Sequence, residues 1–305
     1  MNEPLEIPRT ASQMRALCAT RGLAPSRRFG QHFLIEPHIL DLIARLAELE
    51  AGDIVLEVGT GLGTLTRRLA EVPELVVSVE IDSGLYALAR DLLGNQEKVR
   101  LIHGDVLESK SSLNPEVCEK LDVGLVAPEA QRFKVVANLT YIITSPFLSA
   151  LILRYGMPAR CVFLVQRELA ENLTAKPGNR SYSPLTILLD LLATVTIDRY
   201  VSRDVFWPKP KVESAVVCLE SKNVDPVPAM RAYPLVRFLF SERRKSIAAL
   251  LKKLPSTLGG ASLKDEAKTR VLDQVGLSGR ERAESLLPQQ FLELDREISK
   301  ASSPG

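Results

Sequence analysis

Residues 53–66, DIVLEVGTGLGTLT, decide the fold class of this chain. The short apolar run at their start has no polar alternation, which is typical of a strand buried on both faces. A turn with Gly59, Gly61 and Gly63 follows the run and leads directly into helical apolar spacing. A strand, a glycine-rich turn and a helix in this order are typical of the ligand-binding start of an open α/β sheet.

The same alternation of strand and helix continues along the chain. Further apolar runs occur at residues 75–82, 99–107, 133–138, 160–166 and 211–220, with helical spacing between most of them. This pattern predicts an α/β, Rossmann-like domain with a mostly parallel sheet covered by helices. The acidic segment 109–132 is predicted to be a loop. After residue 221 only helical spacing recurs, so we predict a first domain at 1–221 and a small all-helical domain at 222–305.

Composition excludes several classes of protein. The 305 residues are 46% hydrophobic and carry a net charge of +2, so any basic surface for nucleic acid has to be local. The four cysteines are far apart and lack metal-ligand spacing, which predicts reduced thiols, a cytoplasmic protein and no metal site. No apolar stretch approaches the roughly 20 residues of a membrane span, and the N-terminus lacks the pattern of a signal peptide.

Three strand ends predict one ligand crevice. Glu57 precedes the glycine turn, Glu80 ends the next strand, and Asp105 ends the third. Glu80 lies where a carboxylate accepts hydrogen bonds from ribose hydroxyls, and Asp105 is suited to bind the edge of an adenine. The alternative for each is a solvent-exposed acid that binds no ligand. A nicotinamide dinucleotide and S-adenosylmethionine both fit such a crevice. The GxGxG spacing and the acid at Glu57 favour the cationic S-adenosylmethionine.

Residues 135–147, VVANLTYIITSPF, place polar groups at the end of a later strand. The side-chain oxygen of Asn138 and the backbone carbonyl of Leu139 would accept both hydrogens of an exocyclic amine, while the ring of Tyr141 would stack on the base. Such a set favours methyl transfer to an adenine or cytosine amine. The alternative is that Asn138 caps a turn and Tyr141 is a packed aromatic.

With these motifs the chain resembles the ribosomal RNA adenine dimethyltransferases of the KsgA type over nearly its whole length. GQHFL at 30–34 is similar to the family's GQNFL signature, EVGTGLGTLT to its cofactor turn, and NLTY at 138–141 to its N-[LI]-P-[YF] catalytic loop. The resemblance implies that Asn138, Leu139 and Tyr141 hold the target adenine. It implies cofactor contacts at His32, Leu34, Glu57, Gly59, Gly61, Glu80, Asp105 and Asn138.

The resemblance also implies the partner. The family docks a basic lead-in, here 1–30, and its C-terminal domain onto the small-subunit ribosomal RNA of a pre-assembled particle, and works as a monomer. Candidate RNA-binding residues are Arg27, Arg28, Arg243, Arg244 and Lys245, although a basic helical segment is otherwise often a solvated face. Phe206 and Trp207 would wall the base pocket or serve ordinary packing.

Three departures from the family pattern keep other functions open. His32 replaces asparagine, 109–132 is longer than usual, and Thr140 stands where the family has proline. Proline fixes φ and removes a donor, so Thr140 predicts a more mobile catalytic loop and slower turnover. The competing functions are a large-subunit RNA dimethyltransferase and a ribosome-assembly or RNA-binding factor with weakened catalysis.

Overall fold

The structure is a computed structural model that describes residues 7–8, 10–26, 28–128, 131–260 and 263–302, without the side chain of Tyr141. The described chain forms two compact units. The first combines the residues up to Glu171 with Val195–Ser221, and the second combines Asn172–Thr194 with the residues from Lys222 onward. The predicted domain boundary at 221 is thus one of the points at which the chain passes from the first unit to the second. Residues 172–194, which were predicted to lie in the first domain, belong to the second unit.

The first unit contains a seven-stranded sheet in the order β4-β3-β2-β7-β8-β11-β9. Neighbouring strands from β4 to β8 are parallel, and β11 is antiparallel to β8. The predicted mostly parallel, Rossmann-like sheet is confirmed. The strands are β1 (Phe33–Leu34), β2 (Asp53–Val58), β3 (Leu75–Glu80), β4 (Val99–His103), β5 (Leu107–Ser109), β6 (Ser112–Leu113), β7 (Arg132–Asn138), β8 (Arg160–Gln166), β9 (Ala193–Val201), β10 (Phe206–Trp207) and β11 (Ser214–Ser221).

Helices connect the strands and form the second unit. They are α1 (Ala11–Thr20), α2 (Pro37–Leu46), α3 (Thr64–Leu69), α4 (Ser83–Leu93), α5 (Pro115–Leu125), α6 (Tyr141–Tyr155), α7 (Arg167–Leu173), α8 (Pro184–Leu192), α9 (Val227–Ser241), α10 (Ile247–Leu251), α11 (Asp265–Gln274) and α12 (Pro288–Ser302). Among the residues described, no helix is both long and apolar enough to cross a membrane.

The register of the parallel strands brings their carboxyl ends to one edge of the sheet. Every residue of β2 is buried, as its continuous apolar run predicts. Glu57 pairs with Ser78 of β3, and Val58 pairs with Ala137 of β7. The residues that follow β2, β3, β4 and β7 therefore begin at the same edge, where open α/β sheets bind ligands.

The prediction that 109–132 is a loop was wrong. The segment contains the short pair β5 and β6 and then α5. Asn114 caps α5 by accepting a hydrogen bond from the Glu116 backbone N–H, and Pro115 occupies the first helical turn. Val117 and Leu121 lie one turn apart on its buried face. The cap and this spacing are present in the sequence and are sufficient to predict the helix.

A buried ion pair joins β2 and β7 near their amino ends, away from the carboxyl ends that face the crevice. Lys134 Nζ of β7 lies 2.7 Å from Asp53 Oδ2 of β2, with side-chain exposures of 3% and 0%. The ammonium group also donates to the Glu48 backbone carbonyl. Removing one partner of such a pair leaves the other charge buried and uncompensated, which destabilises the fold.

The second unit has its own apolar core. Leu239 of α9, Phe291 and Leu294 of α12, and Tyr182 are almost completely buried in it. The Tyr182 hydroxyl donates a hydrogen bond of 3.1 Å to the Leu286 carbonyl. This aromatic anchor explains why the stretch 172–194 belongs to the helical unit.

Candidate active site

The glycine turn after β2 has a backbone conformation that residues with a side chain rarely adopt. Gly59 and Gly61 have φ values of +85° and +57°, in the left-handed region. The Gly59 N–H donates to the Val79 carbonyl at 2.9 Å, and the Gly61 N–H donates to Glu80 Oε2 at 2.8 Å. These bonds tie the turn to the end of β3.

Glu80 fixes the shape of this turn. Glu80 is only 4% exposed, and its second carboxylate oxygen accepts a hydrogen bond of 2.9 Å from the Asp82 N–H. Burial raises its pKa, and the backbone hydrogen bonds from Asp82 and Gly61 oppose that effect. Each carboxylate oxygen keeps a further lone pair. The predicted contact of Glu80 with a ribose is compatible with this arrangement and stays a prediction.

Glu57 is fully buried beside the turn, at the end of a chain formed by two hydroxyl groups. Ser78 Oγ donates to Glu57 Oε2 at 2.6 Å, and Thr60 Oγ1 lies 2.6 Å from Ser78 Oγ. The other oxygen, Oε1, is buried without a hydrogen-bond partner among the described residues. Burial raises the pKa of Glu57 to about 7, while the Ser78 hydrogen bond lowers it. A buried acid with one unused oxygen fits a cationic ligand group, as the sequence predicts for S-adenosylmethionine.

The hydroxyls of Ser78 and Thr60 were missed in the sequence. A single serine within the apolar run of β3 is the signal that would have found them, because a buried hydroxyl needs a partner. Ile81 was also missed: it is apolar, follows Glu80 directly and is 39% exposed at the strand end. An exposed aliphatic side chain there suits the flat face of a base.

Asp105 lies at the predicted edge but is engaged in its own turn. Its Oδ1 accepts from the Leu107 N–H at 3.0 Å, and its backbone carbonyl accepts from Asn114 Nδ2 at 2.9 Å. The residue is exposed. Its predicted contact with an adenine therefore stays a prediction.

Asn138 ends β7 next to the glycine turn. A Cβ built on Gly59 would lie 3.7 Å from the Asn138 carbonyl oxygen, so the two segments approach closely. Asn138 Nδ2 donates to the His32 carbonyl at 3.2 Å. Since that partner is an acceptor, the amide nitrogen has to face it. The Oδ1 atom faces away and has no partner in the described part of the chain.

The rest of the loop is anchored on both sides. The Leu139 N–H donates to the Leu164 carbonyl at 3.0 Å, and its side chain is buried. Thr140 precedes α6 with φ −75° and ψ 150°, and its carbonyl accepts from Thr144 Oγ1 at 2.9 Å. The backbone of Tyr141 begins α6. The predicted stacking of its ring lies outside the described residues.

The lead-in before α2 runs beside this site. His32 Nδ1 lies 2.6 Å from the Pro208 carbonyl, which makes Nδ1 the donor. The Phe33 ring stacks with Trp207 at a centroid distance of 5.9 Å, and a Cβ built on Gly61 would lie 3.5 Å from the Phe33 ring. His32 and Phe33 therefore connect Asn138 at the end of β7, the glycine turn and β10.

Leu34 is placed differently from the other predicted cofactor residues. Its side chain is 5% exposed and packs in the core of the first unit with Leu40 and Phe206. Phe206 is likewise buried. The cofactor contact predicted for Leu34 gains no support from this packing and stays a prediction.

The predicted RNA-binding residues differ in whether their side chains already have partners within the protein. Arg243 donates to the Arg180 carbonyl at 2.9 Å and pairs with Glu284 at 3.2 Å, so it holds its own unit together. Lys245 pairs with Glu242. Arg244 has no partner among the residues that the structure describes. The Arg28 guanidinium lies 5.4 Å from the Phe29 ring centroid, and Arg27 lies outside the described residues.

No cluster of three or more His, Cys, Asp or Glu suited to a metal ion exists among the residues described.

Comparisons with known proteins agree with the motifs. A protein-family model described as ribosomal RNA adenine dimethylase matches residues 24–293. The Ribosomal RNA small subunit methyltransferase A of Moorella thermoacetica is 32% identical over 95% of this chain and 98% of its own length. The protein of that name from Anaeromyxobacter dehalogenans is 38% identical over 93% and 97%.

Two solved structures share the fold over most of the chain. A dimethyladenosine transferase from Plasmodium falciparum has a TM-score of 0.67 and 28% identity, covering 88% of this chain and 98% of its own. The 23S rRNA methyltransferase ErmE has a TM-score of 0.59 and 26% identity, covering 88% and 99%. The resemblance found in the sequence is therefore confirmed, and the chain belongs to the ribosomal RNA adenine dimethylase family.

Proposed function

We propose that this protein uses S-adenosylmethionine to dimethylate N6 of two adjacent adenosines in the 3′-terminal region of small-subunit ribosomal RNA during ribosome assembly. The observation that carries the proposal is the orientation of Asn138. Its amide nitrogen is occupied by the His32 carbonyl at 3.2 Å, which leaves Oδ1 as a free acceptor at the edge of the sheet beside the glycine turn.

The cofactor would be held along the ends of β2, β3 and β4. Gly59 and Gly61 permit close approach, Glu80 offers unused lone pairs, and Asp105 offers a strand-end carboxylate. Glu57 offers a buried negative charge to the cationic part. When bound, S-adenosylmethionine supplies a methyl group on a positively charged sulfur. The protein's own task is to place the amine in line with that methyl group.

An adenine amine is a weak nucleophile because its lone pair is delocalised into the ring. Asn138 Oδ1 and the Leu139 carbonyl would accept its two hydrogens and hold the nitrogen in a pyramidal geometry. The Leu139 N–H bond to Leu164 fixes the second acceptor. Once methylated, the amine nitrogen would carry an acidic proton that leaves to water, so the residues at this edge would not have to supply a strong base.

The names of the relatives support the small subunit as substrate, and a pre-assembled particle bound by a protein monomer in the cytoplasm fits that assignment. The likeness to ErmE keeps large-subunit RNA as the second candidate. Positive charge for phosphate contacts would come from Arg28 and Arg244, which carry no ion pair in the described chain, and also from Arg27 and Lys245.

The backbone conformation of Thr140 favours an active enzyme over one that has lost catalysis. Its φ of −75° is the value that proline would impose, so the loop has a proline-like backbone without a proline. The proposal of an assembly factor with weakened catalysis therefore needs a cause other than the shape of this loop.

The function is tested by labelled methyl transfer to under-methylated small subunits, with Asn138→Ala beside the wild type. We expect dimethyladenosine with the wild type and transfer that is slower by about 10² or more with Asn138→Ala, at equal binding of the particle. Full transfer by Asn138→Ala would contradict the assigned chemistry.

A further inference from the structure

The hydroxyls beside Glu57 form a chain with one favoured direction. Thr60 Oγ1 lies 2.6 Å from Ser78 Oγ, and Ser78 Oγ lies 2.6 Å from Glu57 Oε2. When Glu57 is ionised, Ser78 donates to it and Thr60 donates to Ser78. Aligned hydrogen bonds of this kind polarise one another and stabilise the charge at the end of the chain.

The other groups around Glu57 act in opposite directions. Val136 of β7 beside it is apolar, and the Thr66 hydroxyl of α3 lowers the pKa of Glu57 less than Ser78 does. The charged neighbour is Glu80, whose negative charge opposes ionisation of Glu57. Burial opposes it more strongly. The free protein therefore holds Glu57 near the balance between its neutral and ionised forms.

We propose that Ser78 and Thr60 are positioning residues for Glu57: their hydrogen bonds orient its buried carboxyl group beside the glycine turn, so that its negative charge stabilises the positively charged part of S-adenosylmethionine and cofactor binding expels a proton. This inference rests on the proposed function for the identity of the cofactor. It adds two residues, and a pH dependence of affinity, to the binding site.

The size of the effect follows from proton linkage. With a pKa of about 7, roughly half of Glu57 is protonated at pH 7, so binding releases about half a proton. The affinity rises about tenfold between pH 6 and pH 8 through this group. Ser78→Ala removes the donor, raises the protonated fraction, increases proton release towards one and weakens binding at pH 7 by about tenfold.

The experiment is calorimetry of S-adenosylmethionine binding to the full chain in two buffers of different ionisation enthalpy, from pH 6 to pH 8. Glu57→Gln gives the proton balance of the ligand itself, so the difference from the wild type belongs to Glu57. Ser214→Ala is the matched control, because it removes a buried hydroxyl from β11 of the same sheet. We expect its affinity and proton release to equal those of the wild type.

A double-mutant cycle tests the chain itself. Since Thr60 acts through Ser78, Thr60→Val weakens binding severalfold alone and changes it less than about twofold in the Ser78→Ala background. Equal effects of Thr60→Val in both backgrounds would overturn the relay.

The wild type also decides the proposal without any variant. Binding and methyl transfer with the same proton balance as Glu57→Gln would overturn this inference and leave the proposed function intact. Absence of S-adenosylmethionine binding by the wild type would overturn both.

Discussion

Replacing Glu57 by glutamine is expected to stabilise the cofactor-free protein, and to do so only at neutral and alkaline pH. The carboxyl group is completely buried, and burial raises its pKa from 4.5 to about 7. Because the folded chain holds this proton more tightly than the unfolded chain, the group favours folding below pH 4.5. That contribution is lost as the pH rises through about 7.

The magnitude follows from the two pKa values. A difference of about 2.5 corresponds to about 3 kcal/mol at 1.36 kcal/mol per pKa unit, and about 2.5 kcal/mol of it falls between pH 5 and pH 8. Glutamine keeps the shape and carries no charge. The stability advantage of Glu57→Gln should therefore grow by about 2 to 3 kcal/mol over this range, or about 5 °C in Tm.

The assay is thermal unfolding of both proteins at pH 5, 6, 7 and 8 without cofactor. Glu74→Gln, at an exposed position before β3, controls for the change of net charge alone. A gap between Glu57→Gln and the wild type that stays constant from pH 5 to pH 8 would refute the reasoning. It would mean that Glu57 ionises in the folded protein as it does in the unfolded chain.

Three further changes test other parts of the site and the fold. Asn138→Ala should lower the single-turnover rate by about 10² or more, with the Kd of S-adenosylmethionine within tenfold, because it removes an amine acceptor; rapid-quench kinetics and calorimetry measure both, and a rate near that of the wild type would exclude the role. Thr140→Pro should stabilise the chain by about 0.5 to 1 kcal/mol and speed single turnover, since φ is already −75°; unchanged kinetics in a folded variant would remove the proposed effect of Thr140. Asp53→Asn should cost about 3 to 5 kcal/mol in urea unfolding, because it leaves Lys134 buried without its partner; a loss below about 1 kcal/mol would mean that the pair contributes little.

The sheet and the crevice could be predicted from the sequence because their signals are local. A continuous apolar run such as β2, followed by Gly59 and Gly61, specifies both a buried strand and a turn that approaches a ligand. Helix α6 begins at Tyr141, five residues before Pro146, so residues 138–140 lead straight into a helix.

Other features depend on contacts between distant segments and were beyond sequence reasoning. The bond from Asn138 to the His32 carbonyl joins residues 106 positions apart. Tyr182 belongs to the helical unit through Leu286, 104 positions away. The ion pair between Arg243 and Glu284 likewise joins distant segments, and the sequence shows only that Arg243 is basic.

The most direct test of the account is methyl transfer from labelled S-adenosylmethionine to three substrates: under-methylated small subunits, under-methylated large-subunit RNA and protein-free small-subunit RNA. Mass spectrometry of the digested nucleosides identifies the product. The account predicts N6-dimethyladenosine on the small subunits, with Thr140 in the loop. Dimethyladenosine confined to the large-subunit RNA, or tight binding to the small subunit without any methyl transfer, would contradict it.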